Sequence, residues 1–125
     1  MKMDDKVYFF DSYALAEINK GNPNYKFCLT AKIVLTKLNI FEIYHGILRD
    51  MGEKEAERFF EEYYQFVIDF NRDDIREAAK LKLQYKKRNL SMTDCIGYVL
   101  AKRWGIKFLT GDKEFKDFDN VEFVK

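Results

Sequence analysis

The sequence predicts an α/β domain with a mostly parallel sheet, and three observations lead there. The runs VYFF, KIVL, IKFL and VEFV are β-branched or aromatic and too short for helices. Between them lie longer segments whose apolar residues recur at helical spacing. The two kinds alternate, as they do where helices cover both faces of a parallel sheet.

The first strand is Val7 to Phe10, buried by its composition. A helix over Tyr13 to Lys20 stops at Gly21, and Pro23 in GNPN marks a turn. Lys32 to Leu35 reads as the second strand, after which Thr36 caps a helix from Lys37 to about Met51. From Glu53, the positions Ala56, Phe59, Phe60, Tyr63 and Val67 define an amphipathic helix, with a brief strand expected over Val67 to Phe70. Asn71 to Asp74 offers capping chemistry to a helix carrying Ile75, Ala78, Ala79 and Leu83 and ending near Asn89. Ser91 and Asp94 match a capping box opening a helix over Met92 to Trp104, which Gly105 ends. Ile106 to Leu109 is then a strand, GDKEFKDFDN a loop and Val121 to Val124 a last strand.

The 125 residues suit a single domain, 1–125, with one core, and 47% hydrophobic with 34% charged residues argue against disorder. Lys plus Arg number 22 against 21 Asp plus Glu, so any site for a polyanion must be local. No apolar run approaches the ~20 residues of a membrane span, and MKMDDK lacks an apolar leader region; a cytoplasmic protein is expected. Cys28 and Cys95 form no CxxC pair and read as small buried residues. With a single His as well, a zinc site is disfavoured, and a metal would need oxygen ligands, which points to Mg²⁺ or Mn²⁺.

In a parallel sheet, strand C-termini and helix N-termini share one edge, where ligands bind. Asp11 directly follows the first strand, Asp112 follows IKFL by three residues, and Asp94 lies in the first turn of its helix. Glu42 is about six residues into its helix, roughly 9 Å along the axis and within side-chain reach of the cleft. Each acid has a plainer reading: Asp11 as an N-cap, Asp94 as half of a capping box, Asp112 as a turn residue and Glu42 as a solvated helix position. The neighbours Ile40, Phe41, Ile43 and Tyr44 nevertheless suggest a substantially buried segment around Glu42. Four acids meeting at one edge would repel one another, and a divalent cation relieves that repulsion.

These residues resemble the PIN-domain family, which includes the VapC toxins. The matching stretches are FFDSYAL with Asp11, IFEIYHGIL with Glu42, LSMTDCIGYVLAKRWGIKFLTGD with Asp94, and Thr110 to Phe115 with Asp112, covering Val7 to Val124. The resemblance implies a three-layer α/β/α fold and cleavage of single-stranded RNA dependent on Mg²⁺ or Mn²⁺. It implies that Asp11, Glu42, Asp94 and Asp112 bind metal, with Ser12 and Thr110 as supporting hydroxyls. It implies as well a small antitoxin partner and a homodimer. Tyr13 stands where family members often carry a small polar residue, which narrows the expected substrate cleft.

Weaker candidates follow. His45 is three residues after Glu42, Asp117 and Asp119 lie on the loop after the site, and Lys80, Lys82, Lys86, Lys87 and Arg88 crowd a helix end that could contact RNA. Tyr44, Tyr63, Tyr64 and Tyr85 are core residues or faces for a partner. The alternatives are a non-catalytic PIN-like module binding protein or RNA, and a phosphoacceptor receiver-like domain. The latter would pair acids after the first strand, where this chain has Asp11 followed by Ser12.

Overall fold

Strand β1, Val7–Phe10, alternates its side chains between two faces, and that alternation organises the computed structural model, which describes residues 6–125. The stretch MKMDDK, expected to lack an apolar leader region, lies outside the described residues except for Lys6. Strands β2 (Lys32–Val34), β3 (Lys107–Thr110) and β4 (Val121–Phe123) complete a sheet of order β2-β1-β3-β4 in which every pairing is parallel. Phe9 lies opposite Val34 on one side and Phe108 on the other.

Tyr8, Phe10 and Leu109 face one layer, formed by α1 (Ser12–Asn19), α2 (Lys37–Met51) and α3 (Glu53–Tyr63). Phe9 and Phe108 face the other, formed by α4 (Arg72–Gln84) and α5 (Met92–Trp104). The result is the three-layer α/β/α arrangement. Phe9, Phe10, Phe108 and Leu109 are fully buried, each worth about 1.5–3 kcal/mol of removal from water. Helix α5 sits closest to the sheet because Gly97 has no side chain: a Cβ there would lie 2.6 Å from Phe9 Cε1 and 3.2 Å from Phe108 Cε1.

Several expectations are corrected. The strand expected over Val67 to Phe70 is a single parallel bridge from Val67 to Leu35, preceded by a 3₁₀ turn at Tyr64–Phe66 that ends the α3 segment before Val67. Thr36 already begins the cap of α2, so only Leu35 offers ladder groups to that segment. Helix α4 stops at Gln84 rather than near Asn89. The Arg88 guanidinium is drawn out of helical register by Asp117 at 2.8 and 3.0 Å and by the Glu114 carbonyl at 2.8 Å, over the rings of Tyr85 and Phe118. The turn at Pro23 extends into a 3₁₀ helix, Pro23–Thr30, whose Tyr25 and Cys28 fill the α1–α3 layer.

Candidate active site

The chain leaves β1 for β2 on one side and returns to β3 on the other, so the connections diverge at β1 and β3 and open a crevice beyond their C-terminal ends. Asp11 follows β1 there and Thr110 ends β3. Asp11 is fully buried, and both carboxylate oxygens are engaged. Oδ1 accepts from the Ala14 N–H at 2.8 Å, making Asp11 the N-cap of α1, and Oδ2 accepts from the Thr110 hydroxyl. The same Thr110 oxygen accepts from the Asp112 N–H at 3.0 Å, so one side chain sets the spacing of two acids. Asp112 in turn caps a short 3₁₀ turn, Lys113–Phe115, through the Glu114 N–H. Gly111 between them is required, since a Cβ there would collide with the Tyr13 ring and the Val124 carbonyl.

Asp94 behaves differently from the third residues of the other capped helices. In α2 and α4 the side chains of Asn39 and Asp74 reach back to the N-cap N–H and close true capping boxes. In α5 only half of the expected box forms: the Ser91 hydroxyl accepts from the Asp94 N–H at 3.0 Å, and the Asp94 carboxylate is not tied back to the cap N–H. It remains available to the crevice.

Glu42 is solvent-exposed, as is Phe41, which corrects the expectation of a buried segment; α2 buries Asn39, Ile40, Ile43 and Ile47. Ser12 Oγ donates to Glu42 Oε1 at 2.6 Å and itself accepts from Asn39 Nδ2 at 3.0 Å. Asn39 is a functional neighbour that sequence reasoning missed. Its signal was available: an Asn three residues after a capping Thr and three before an acid.

Electrostatics ties the four acids together. Burial raises the Asp11 carboxyl well above its ordinary range, and the charges of Asp94 and Asp112 raise it further, against the Thr110 and Ala14 hydrogen bonds. Burial likewise lifts Asp94 to about 6, with the charges of Glu42 and Asp112 adding to it and the Ser91 hydroxyl opposing. Among the described residues no three His, Cys, Asp or Glu side chains are drawn together tightly enough to hold an ion by themselves. The donor set still fits a hard divalent cation: all the candidate ligands are oxygens, and Mg²⁺ in particular is commonly held through one or two carboxylates with the rest of its shell water.

The sequence matches the PIN domain over residues 8–121. The chain belongs to the PIN domain family. No curated protein matches it. Among solved structures this PIN domain is similar to VapC20 of Mycobacterium tuberculosis, described as a sarcin-ricin loop cleaving toxin, at 16% identity and TM-score 0.77 over 94% of this chain and 99% of that one. It is similar to a chain of a toxin-antitoxin complex from Klebsiella pneumoniae, at 19% identity and TM-score 0.73 over 92% and 95%. A chain of VapBC2 from Rickettsia felis, bound to a DNA fragment from its promoter, gives 16% identity and TM-score 0.71 over 95% and 99%. At these identities the likeness is one of fold.

The remaining candidates of this PIN domain are placed elsewhere or occupied. His45 is exposed and stacks on Phe41 with ring centroids 6.1 Å apart. Asp117 pairs with Arg88 and Asp119 with Tyr98 and Lys102, so neither serves as an outer acid of the site. Lys82 donates to the Leu90 carbonyl and Lys80 to Glu77, leaving Lys86 and Lys87 as the exposed remainder of the basic helix end. Tyr63 is core, Tyr44 is bonded to Glu57 at 2.6 Å, Tyr85 is half-buried against Phe118, and Tyr64 is exposed. Cys28 and Cys95 are buried and unpaired, as expected. Among the described residues no helix is long and apolar enough to cross a membrane.

Proposed function

We propose that this chain is a divalent-cation-dependent endoribonuclease that cleaves single-stranded RNA as the toxin of a VapBC-type toxin–antitoxin pair. The observation that carries the reading lies at the crevice beyond β1 and β3, where the charges of Asp94 and Asp112 raise the Asp11 carboxyl and those of Glu42 and Asp112 raise that of Asp94. Membership of the PIN family and the likeness to toxin and toxin–antitoxin structures support it.

Mg²⁺ or Mn²⁺ held by Asp11, Glu42, Asp94 and Asp112, directly or through water, supplies Lewis acidity and charge neutralisation at a phosphodiester. The chain's own groups prepare the place. Thr110 and the Ala14 N–H hold Asp11 in one orientation, Thr110 also spaces Asp112, and Ser12 directs Glu42. Asp94 presents a carboxylate that its incomplete capping box does not tie back to the cap N–H. Unneutralised, the four acids repel an RNA backbone, so substrate binding at this crevice depends on the cation.

The test is incubation of the purified chain with unstructured and structured RNAs, with and without Mn²⁺, beside Asp11→Asn. Unstructured RNA is cut only by wild type and only with Mn²⁺. Cleavage that persists in chelator or in Asp11→Asn overturns the reading. On the same reading the partners are RNA, a small antitoxin whose Arg or Lys enters the acidic cleft, and a second copy of the chain.

A further inference from the structure

Asn39 is fully buried, and each of its polar atoms has a defined partner. One side-chain oxygen accepts from the Thr36 N–H at 2.9 Å and from the Thr36 hydroxyl at 2.8 Å. A backbone N–H can only donate, so the atom facing Thr36 is Oδ1 and the atom facing Ser12 is the amide nitrogen, which also can only donate. The Ser12 oxygen therefore accepts from Asn39, and its single hydrogen is left for Glu42, 2.6 Å away. The direction of every bond in this chain follows from the first, at the start of α2.

We infer that Asn39 is a positioning residue of the acidic site: anchored by the α2 cap, it fixes the direction in which Ser12 donates and so holds the exposed Glu42 carboxylate toward the crevice. Glu42 needs such a hold because it is solvent-exposed and has rotamer freedom to lose on binding. The side chain of Asn39 bonds Thr36 and Ser12 and acts on Glu42 only through Ser12. The inference rests on the cation-dependent nuclease reading for its readouts.

Asn39→Asp is nearly isosteric and still accepts from Thr36, but it replaces the donor toward Ser12 by an acceptor. The Ser12 hydrogen then turns to the new carboxylate, and Glu42 faces a lone pair. The expected result is about a tenfold loss of Mn²⁺ affinity by calorimetry and of kcat on unstructured RNA, with KM little changed, as for other groups that orient metal ligands. The sign is diagnostic, since an added negative charge acting by itself would tighten Mn²⁺ binding. Ser12→Ala gives the same loss, Ser12→Thr restores near-wild-type behaviour, and Asn39→Asp adds nothing in the Ser12→Ala background. Asn39→Ser, too short to reach Ser12, carries the same test should the aspartate variant fold poorly. Unchanged or tighter Mn²⁺ binding in Asn39→Asp, or additive effects of the two sites, overturns the inference while leaving the nuclease reading intact. A wild type that neither binds Mn²⁺ nor cuts RNA overturns both.

Discussion

Asp94 is the residue at which stability and the proposed chemistry oppose each other. Its carboxyl is raised to about 6 by burial and by the charges of Glu42 and Asp112. A carboxyl whose folded pKa lies above its unfolded one binds more protons folded than unfolded, so stability falls as pH rises from about 4 to about 6 and the full penalty is present above that window. Asp94→Asn is therefore expected to leave the metal-free fold intact and, at pH 8, more stable by on the order of 1 kcal/mol. The helix start survives because the Ser91 hydroxyl accepts from the backbone N–H at this position, a bond that the substitution leaves in place. RNA cleavage is abolished. Chemical denaturation and a cleavage assay on one preparation check both halves, and retained cleavage refutes the role. By the same linkage, Mn²⁺ raises the melting temperature more at pH 8 than at pH 4.5, where protonated acids no longer need it. A shift independent of pH, or none, counts against the cation site.

At the scale of elements, α5 decides the site because it carries Asp94 and lies against the sheet through Gly97. Gly97→Ala gains about 1 kcal/mol of helix propensity but forces a methyl into two fully buried rings, at 2.6 Å from Phe9 and 3.2 Å from Phe108. Overpacking of that kind costs roughly 1–3 kcal/mol. A net loss of about 1 kcal/mol of unfolding free energy, read as a lower urea midpoint, is expected, with a fall in cleavage because α5 must shift to admit the methyl. A more stable variant would show that the two rings yield freely. Helix α4 is tied to α5 by Asp74, which closes its own capping box and accepts from Arg103 Nε and Nη2, each at 2.8 Å.

Across the whole molecule, charge is nearly balanced, and the acidic crevice is a local concentration of one sign. A set of carboxylates attracts a guanidinium as well as a metal ion, and a bidentate Arg adds geometry that Lys lacks. The proposed antitoxin is thus expected to lose affinity for Asp11→Asn, and to lose potency when its own Arg becomes Ala. A binding titration of a candidate antitoxin against wild type and Asp11→Asn measures the first, and equal affinity for both forms sinks the cleft-plugging idea. Phe41 and Leu48, seven residues apart on α2, are both exposed, and the proposed second copy of the chain would cover such apolar surface. Sedimentation of the free chain at micromolar concentration is expected to show a dimer; a monomer would sink that part of the proposal.

Strand and helix identity was readable from the sequence because it depends on local patterning. VYFF alternates across a sheet, Ala56, Phe59 and Tyr63 follow a helix face, and Thr36, Asn71 and Ser91 accept the orphan N–H groups of helices that start beside them. The positions of Asp11 and Asp112 followed from the same reasoning, since strand ends share one edge of a parallel sheet. The tertiary structure decided whatever depended on a distant partner. Arg88 ends α4 early by meeting Asp117, the expected strand at Val67 shrinks to one bridge because Leu35 alone is free to pair, and Glu42 is exposed because α2 turns Asn39 and its isoleucines inward instead. The chain from Thr36 through Asn39 and Ser12 to Glu42 belongs to the same class. Each residue in it has an ordinary local reading, and the bond between α1 and α2 that joins them comes into being only when the two helices dock.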